Sequence, residues 1–226
     1  MHPLVDEPLL SDGDLMSLNE FLDRWERMPG LKFAELLDGV VYMPSPLSLD
    51  HSDMDCSVAM LLRTYGGLSG VCQALVNPTC LIVNNAPQPD CLLRIRPEYG
   101  GVTKREGVLL SGRPELVVEV SLSSLTRDLG PKLGLYLRAG VPEYVAILVG
   151  ERRIEWRVLV QGAYQLLQPD PSGILKSRMF PGLWIDEGAF FRDDVPRLLE
   201  VLHQGLASPE HARFVEALRR GASVKQ

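Results

Sequence analysis

The sequence predicts an α/β (α+β) fold, a mixed β-sheet flanked by helices, and three observations predict it. "PELVVEVSLSS" at residues 114–124 is an apolar run of strand length that passes straight into a helical pattern. "ERRIEWRVLVQGAYQLL", from Glu151, alternates Arg and Glu with Ile, Trp and Val, as an antiparallel hairpin at one side of a sheet does. The order of the segments is helix, hairpin, helix, strands, helix and strands, rather than the strict alternation of a parallel sheet. No segment repeats with a solenoid period.

In chain order, Leu15, Leu18, Phe21, Leu22 and Trp25 recur at helical spacing, with caps offered by Ser11–Asp14 and a stop at Pro29-Gly30. "KFAELLDGVVYMPSP" reads as two short strands about Asp38-Gly39, a dipeptide suited to a tight hairpin. A second helix begins near Ser48 and Asp50, carries Met54, Val58, Leu61 and Leu62 on one side, and ends at Gly66-Gly67. "GVCQALVNPTCLIV", "PDCLLRI" and "PELVVEVS" are strands. The next helix opens near Asp128, tolerates Pro131 in its first turn and closes at Gly140. "EYVAILV" is a further strand, and the tail from Asp193 reads as one or two surface helices.

A chain of 226 residues, 46% hydrophobic and 23% charged, suffices for one core. We therefore expect a single domain over 1–226, with its core at about 14–192 and a helical tail at 193–226. The net charge of -6 argues against a generally basic nucleic-acid coat but permits a local basic groove. Cys56, Cys72, Cys80 and Cys91 form no CxxC or Cys/His pattern, so they indicate neither a zinc site nor a disulfide framework. The first residues lack a basic start, and no apolar run is long enough to span a bilayer, so the chain reads as soluble, cytoplasmic and without a membrane segment.

Glu119 breaks the apolar run of the strongest strand. An ionised carboxylate there costs several kcal/mol unless a cation or donors meet it. Alternation places Glu115, Val117, Glu119 and Ser121 on one face and Leu116, Val118 and Val120 on the other. Asp90, in "PQPDCLLRI", starts a short strand that could neighbour Glu119. Two such carboxylates suit a divalent cation, and Mg²⁺ in particular takes one or two carboxylates with water and phosphate. The competing reading pairs Glu119 with Arg94, Arg96 or Arg113.

Three stretches together resemble the Uma-type restriction endonuclease family, a bacterial branch of the PD-(D/E)xK nuclease superfamily. They are "AELLDGVVYMPSP" with His51 after it, "PQPD", and "PELVVEVSLSSLTRDLGPKLGLYLRAGVPEYVAIL". The resemblance spans roughly Leu15 to Ile185 and implies a restriction endonuclease-like fold. It implies Asp90 and Glu119 as metal ligands, with Mg²⁺ or Mn²⁺ as cofactor, and Glu35 as a further acidic residue. The superfamily's strand lysine falls at Ser121, so the resemblance assigns that role to Lys132 on the following helix. The implied activity is metal-dependent DNA endonuclease hydrolysis of phosphodiester bonds, with the metal polarising phosphate and activating water and Lys132 positioning that water.

Tyr144-Val145 replaces the family's usual Tyr-Trp pair, and "EVSLSS" lacks the usual proline of the turn. Taken alone, Asp128 and Lys132 make an ordinary helix-surface ion pair, Asp90 a turn residue, His51 a helix-start residue and Tyr136 a core residue. Arg94, Arg96, Lys104, Arg105 and Arg113 could track phosphates, whereas Arg152 and Arg153 mark a turn. The alternatives to a nuclease are a catalytically silent nucleic-acid-binding module and a homodimeric assembly module. The apolar "EYVAILV" strand and the amphipathic tail point to the homodimer.

Overall fold

The structure is a computed structural model that describes residues 10–44, 46, 48–122 and 124–223. The opening residues 1–9, residues 224–226 of the predicted tail and Ser123 of the turn after Glu119 lie outside the described residues.

The first elements are helix α1 (Leu18–Glu26), the hairpin β1 (Glu35–Leu37) and β2 (Val40–Tyr42), and helix α2 (Leu49–Ser69). Strands β3 (Cys72–Val76), β4 (Cys80–Leu81), β5 (Cys91–Ile95), β6 (Lys104–Glu106), β7 (Leu109–Ser111) and β8 (Leu116–Ser121) follow. A helical crossover of α3 (Leu125–Arg127), a π-turn (Asp128–Lys132) and α4 (Leu133–Arg138) leads to β9 (Glu143–Leu148). Strands β10 (Arg153–Val160), β11 (Ala163–Leu166), β12 (Ile174–Lys176) and β13 (Trp184–Asp186) come next, then helices α5 (Glu187–Phe190), α6 (Val195–Leu206) and α7 (Pro209–Ser223).

Six strands form the central sheet in the order β11-β10-β9-β8-β5-β3. Only β8 and β9 run parallel, as expected for the one pair joined by a helical crossover. Every other neighbouring pair in this sheet is antiparallel. The fold is therefore α+β with a mixed sheet.

β8 shows how the alternation sets two cores. Leu116, Val118 and Val120 join Val58, Leu61 and Leu62 of α2 and Leu198 and Leu202 of α6 on one face. Val117 joins Tyr136, Tyr144 and Cys80 on the other, beneath the crossover. Glu119 shares the face of Val117, and its buried position leaves it facing the crossover helix rather than water.

Two predicted boundaries and part of the predicted tail need correction. The first helix starts at Leu18, with the Ser17 hydroxyl accepting from the Glu20 N–H at 3.3 Å, so Ser11–Asp14 do not cap it. That earlier stretch pairs instead with the hairpin: Met16 N–H donates to Gly39 O, Val41 N–H donates to Asp14 O, and Leu15 bridges Val40. Leu15 is consequently exposed rather than on the buried helix face.

The second helix continues through Gly66-Gly67 to Ser69 and ends at Gly70, whose φ of 71° is the left-handed cap. Gly66 serves close packing instead of termination, since a Cβ there would lie 3.3 Å from the Ala74 backbone nitrogen. Of the two tail helices, α7 lies on the surface as expected, with His211 its one buried residue, whereas α6 does not. α6 buries Leu198, Val201 and Leu202, and Gly205 approaches Gly182 so closely that a Cβ would overlap the Gly182 carbonyl.

The hairpin about Asp38-Gly39 forms as predicted, with both residues at positive φ. Its β1 strand and the neighbouring Leu36–Ala86 bridge bring Glu35 over the end of β8. Among the described residues, no helix is long and apolar enough to cross a membrane.

Candidate active site

Glu119 lies at the middle of β8 with 1% of its surface exposed. The crossover answers it with two donors. Lys132 Nζ donates to Glu119 Oε2 at 2.8 Å, and the Tyr136 hydroxyl donates to Glu119 Oε1 at 3.1 Å. The arginine reading for Glu119 is thereby corrected, because each candidate arginine is engaged elsewhere. Arg94 donates to Gln73 and Thr103, Arg96 to the Cys72 carbonyl, and Arg113 to the Gly140 carbonyl.

Lys132 is also within 2.8 Å of Glu35 Oε1, so one buried ammonium bridges two carboxylates from distant parts of the chain. Glu35 accepts the Gln88 N–H at 2.7 Å, while the Gln88 carbonyl lies 3.4 Å from Lys132 Nζ. The "PQPD" segment therefore forms one wall of the site, and Asp90 follows in the same wall. Asp90 Oδ2 accepts the Val120 N–H at 2.6 Å, and Oδ1 lies 4.0 Å from His51 Nε2.

The local backbone explains how Lys132 reaches inward. Pro131 lacks an N–H and would crowd the carbonyl four residues earlier in an α-helix. The turn widens instead: Leu133 N–H donates to the Asp128 carbonyl, a five-residue return. The Tyr144 hydroxyl donates to that same carbonyl at 2.8 Å and fixes the turn to β9. Ser121, standing where the superfamily has a lysine, donates to Asp128 Oδ2 at 2.8 Å, and Ser124 donates to the same oxygen. The Asp128–Lys132 pair is thus buried, contrary to its surface-pair reading; their closest charged atoms are 4.0 Å apart.

These residues surround a cavity of about 580 Å³. Glu35, Asp90, Glu119 and Asp128 line it against Lys132, Arg127 and His51, so acidic groups outnumber the basic ones. The titration shifts reflect burial first and the neighbouring charges second. Burial pushes the Asp90 carboxyl up to about 6, assisted by Asp55 and opposed by Lys132, the Val120 N–H and His51. Burial likewise holds Glu119 well above the ordinary range, against Lys132. Burial disfavours the Lys132 ammonium, but Glu119, Glu35, Asp128 and Asp90 outweigh it and raise its pKa. The two partners shift upward for different reasons: burial raises Glu119, whereas the surrounding carboxylates raise Lys132.

A divalent cation fits this donor set. It would cancel the surplus charge with oxygen ligands, and Asp90 accepts its backbone hydrogen bond through Oδ2 alone. Glu119 already meets one donor at each oxygen, so an ion would share its second lone pairs.

Sequence reasoning brought Glu35, Asp90, Glu119 and Lys132 to attention, and all four line one cavity. It missed the roles of Gln88 and Arg127, and of Tyr136 beyond its place in the core. It also missed Asp55, which lies beside His51 and Asp90. The helical spacings of Lys132 to Tyr136 and His51 to Asp55 were the available signals. Arg152 and Arg153 lie at a turn, as expected. Of the predicted phosphate-tracking residues, Lys104 and Arg105 are exposed on β6, whereas the three arginines are tied into the fold.

The mixed sheet with a carboxylate-and-lysine cavity at the crossover defines a protein of the restriction endonuclease-like class. Residues 18–188 match the family described as "Uma2: Putative restriction endonuclease", and the chain belongs to it. A similar solved structure is that of "a putative nuclease belonging to DUF820" from Anabaena variabilis ATCC 29413. It aligns at a TM-score of 0.58 and 16% identity, covering 78% of this chain and 98% of that one. A comparison with curated proteins finds no match.

Proposed function

We propose that this protein is a metal-dependent DNA endonuclease that hydrolyses phosphodiester bonds, with Asp90 and Glu119 holding Mg²⁺ or Mn²⁺. The observation that carries this reading is the buried Lys132 ammonium, 2.8 Å from both Glu35 and Glu119, in a cavity that Asp90 also lines. When bound, the ion supplies Lewis-acid polarisation of phosphate and a lowered pKa for water.

The chain's own residues do the rest. Glu35 and Glu119 hold the ammonium in place, where it can orient water and offset charge developing on phosphate. The Val120 N–H fixes one oxygen of Asp90, and Ser121 and Ser124 fix Asp128 behind Lys132. The hydroxyl of Ser121 thus supports the site from the position where the superfamily carries its lysine.

Purified protein incubated with supercoiled plasmid and Mn²⁺ is expected to nick it. Glu119→Ala should lower the rate on the order of 10²- to 10³-fold. Equal rates in the two proteins would end the nuclease reading, and a parallel RNA substrate tests the preference for DNA.

The reading includes a homodimer that presents two such cavities to a duplex. Light scattering is expected to give twice the chain mass, and a monomer at working concentration would remove that part. One observation favours the silent alternative: Lys132 and Tyr136 already engage both oxygens of Glu119. Absence of both nicking and calorimetric Mn²⁺ binding would support a non-catalytic module.

A further inference from the structure

One wall of the cavity has no part in the hydrolytic reading. Tyr42 on β2 stands directly opposite Glu35 on β1, and residues opposed across an antiparallel pair share a face. The Tyr42 ring therefore borders the cavity beside the carboxylate that holds Lys132. Phe33, two residues before Glu35, lines the same cavity and is 43% exposed. Among the described residues, neither ring packs against another aromatic ring.

Arg127, on α3 of the crossover, places a cation against this wall. Its guanidinium carbon lies 5.7 Å from the centroid of the Tyr42 ring. Its Nε is buried without a hydrogen-bond partner, 3.7 Å from Glu35 Oε2 and 3.9 Å from Asp128 Oδ1. Glu35 is already engaged by Lys132 and the Gln88 N–H, and Asp128 by the Ser121 and Ser124 hydroxyls. The Arg127 side chain is 28% exposed, so an incoming ligand can reach it.

We propose that Arg127, Tyr42 and Phe33 form a subsite for one unpaired nucleotide of a DNA strand, with a phosphate on the guanidinium and the base against the rings. The proposal rests on the nuclease reading and adds to it a preference for bases that have left the stack.

Each part of the subsite matches a part of that ligand. The planar guanidinium can give two parallel N–H groups to one phosphate. Acidic groups outnumber basic ones in the rest of the cavity, so the hold on phosphate depends on this cation. Aromatic rings take any base by its face, without reading sequence. A paired base shows only its edge in a groove, so it must flip out before a ring can meet its face. The cavity of about 580 Å³ lies within the range of about 300–1,000 Å³ that encloses small organic ligands.

The test uses the full chain in metal-free buffer, where hydrolysis does not disturb a binding measurement. The probes are a short single-stranded DNA carrying a fluorescent purine analogue and the same strand annealed to its complement. Wild type should bind the single strand on the order of 10-fold more tightly than the duplex and quench the fluorophore by stacking. Tyr42→Ala and Phe33→Ala should each weaken binding on the order of 10-fold and reduce the quenching, whereas Tyr42→Phe should retain both. Arg127→Gln should weaken binding by a similar factor and lower the salt dependence by about one phosphate contact. Arg127→Lys, which keeps the charge without the planar fork, should fall between wild type and glutamine. Circular dichroism checks that each variant is folded.

Equal affinity for the two probes, no quenching in wild type, or unchanged affinity and salt dependence in folded Arg127→Gln overturns the proposal. The plasmid assay with Mn²⁺ separates it from the nuclease reading. Nicking without Arg127-dependent quenched binding rejects the subsite and leaves the hydrolytic reading. Quenched, Arg127-dependent binding without nicking does the reverse.

Discussion

Lys132→Met is expected to destabilise the metal-free protein by about 3–5 kcal/mol near neutral pH, as measured by urea denaturation. Methionine nearly matches the lysine stem in length, so the loss reports the ammonium more than packing. Without it, Glu35 and Glu119 are left buried beside Asp128 and Asp90 with no central cation. The penalty comes chiefly from the stranded charges rather than from the net worth of the pair. Adding Glu119→Gln removes one stranded charge and should restore part of the loss, so the two changes should couple in a double-mutant cycle. A loss below about 1 kcal/mol for Lys132→Met would mean that the carboxylates simply take up protons. Under the nuclease reading the variant should also fail to nick plasmid.

Glu143→Ala should cost at least about 3 kcal/mol in the same measurement, although Glu143 is remote from the catalytic proposal. Its carboxylate is fully buried at the start of β9 and accepts four hydrogen bonds. Trp156 Nε1 donates at 3.1 Å, the Ser177 hydroxyl at 2.7 Å, and the Arg178 and Met179 N–H groups at 2.7 and 2.9 Å. One side chain thereby clamps β10 and the turn after β12 to the sheet. Truncation leaves those donors buried and unpaired, and it opens a space beside Trp156. Glu143→Gln should fall between wild type and alanine, because its amide keeps one acceptor but turns a donor toward donors. A loss within about 0.5 kcal/mol for alanine would show that water replaces the carboxylate without penalty.

Much of the fold was legible because its signals are local. The Asp38-Gly39 turn, the uninterrupted run at β8 and the alternation of β10 each need only a few neighbouring residues to be recognised. Glu119 stood out for the same reason, as a charge inside an apolar strand. What escaped was set by distant partners. The Leu15 stretch looked helical until the hairpin claimed its backbone groups. Gly66 looked like a stop because nothing nearby reveals that β3 packs against it. Helix α6 looked superficial because the core that receives Leu198 and Leu202 comes from much earlier segments.

The site divides along the same line. The strand pattern supplied Glu119 and Asp90 as a candidate carboxylate pair, and the resemblance added Glu35 and Lys132, which composition alone could not have joined to them across so much chain. Asp55 escaped because an acidic residue early in a helix is ordinary. Only the approach of Asp90 across the sheet end makes it unusual.

The widened turn at Asp128–Lys132 has a consequence for chain length. Relative to an ordinary helix it contains one residue too many. Deleting that residue would let the backbone close its regular ladder, leaving Tyr136 on the flanking helix nearly in place while the residues of the turn itself, Lys132 among them, change direction. Lys132 and Tyr136 could not then both keep their present aim at Glu119. In this stretch a more regular helix would be a worse instrument, and the surplus residue is what points the ammonium inward.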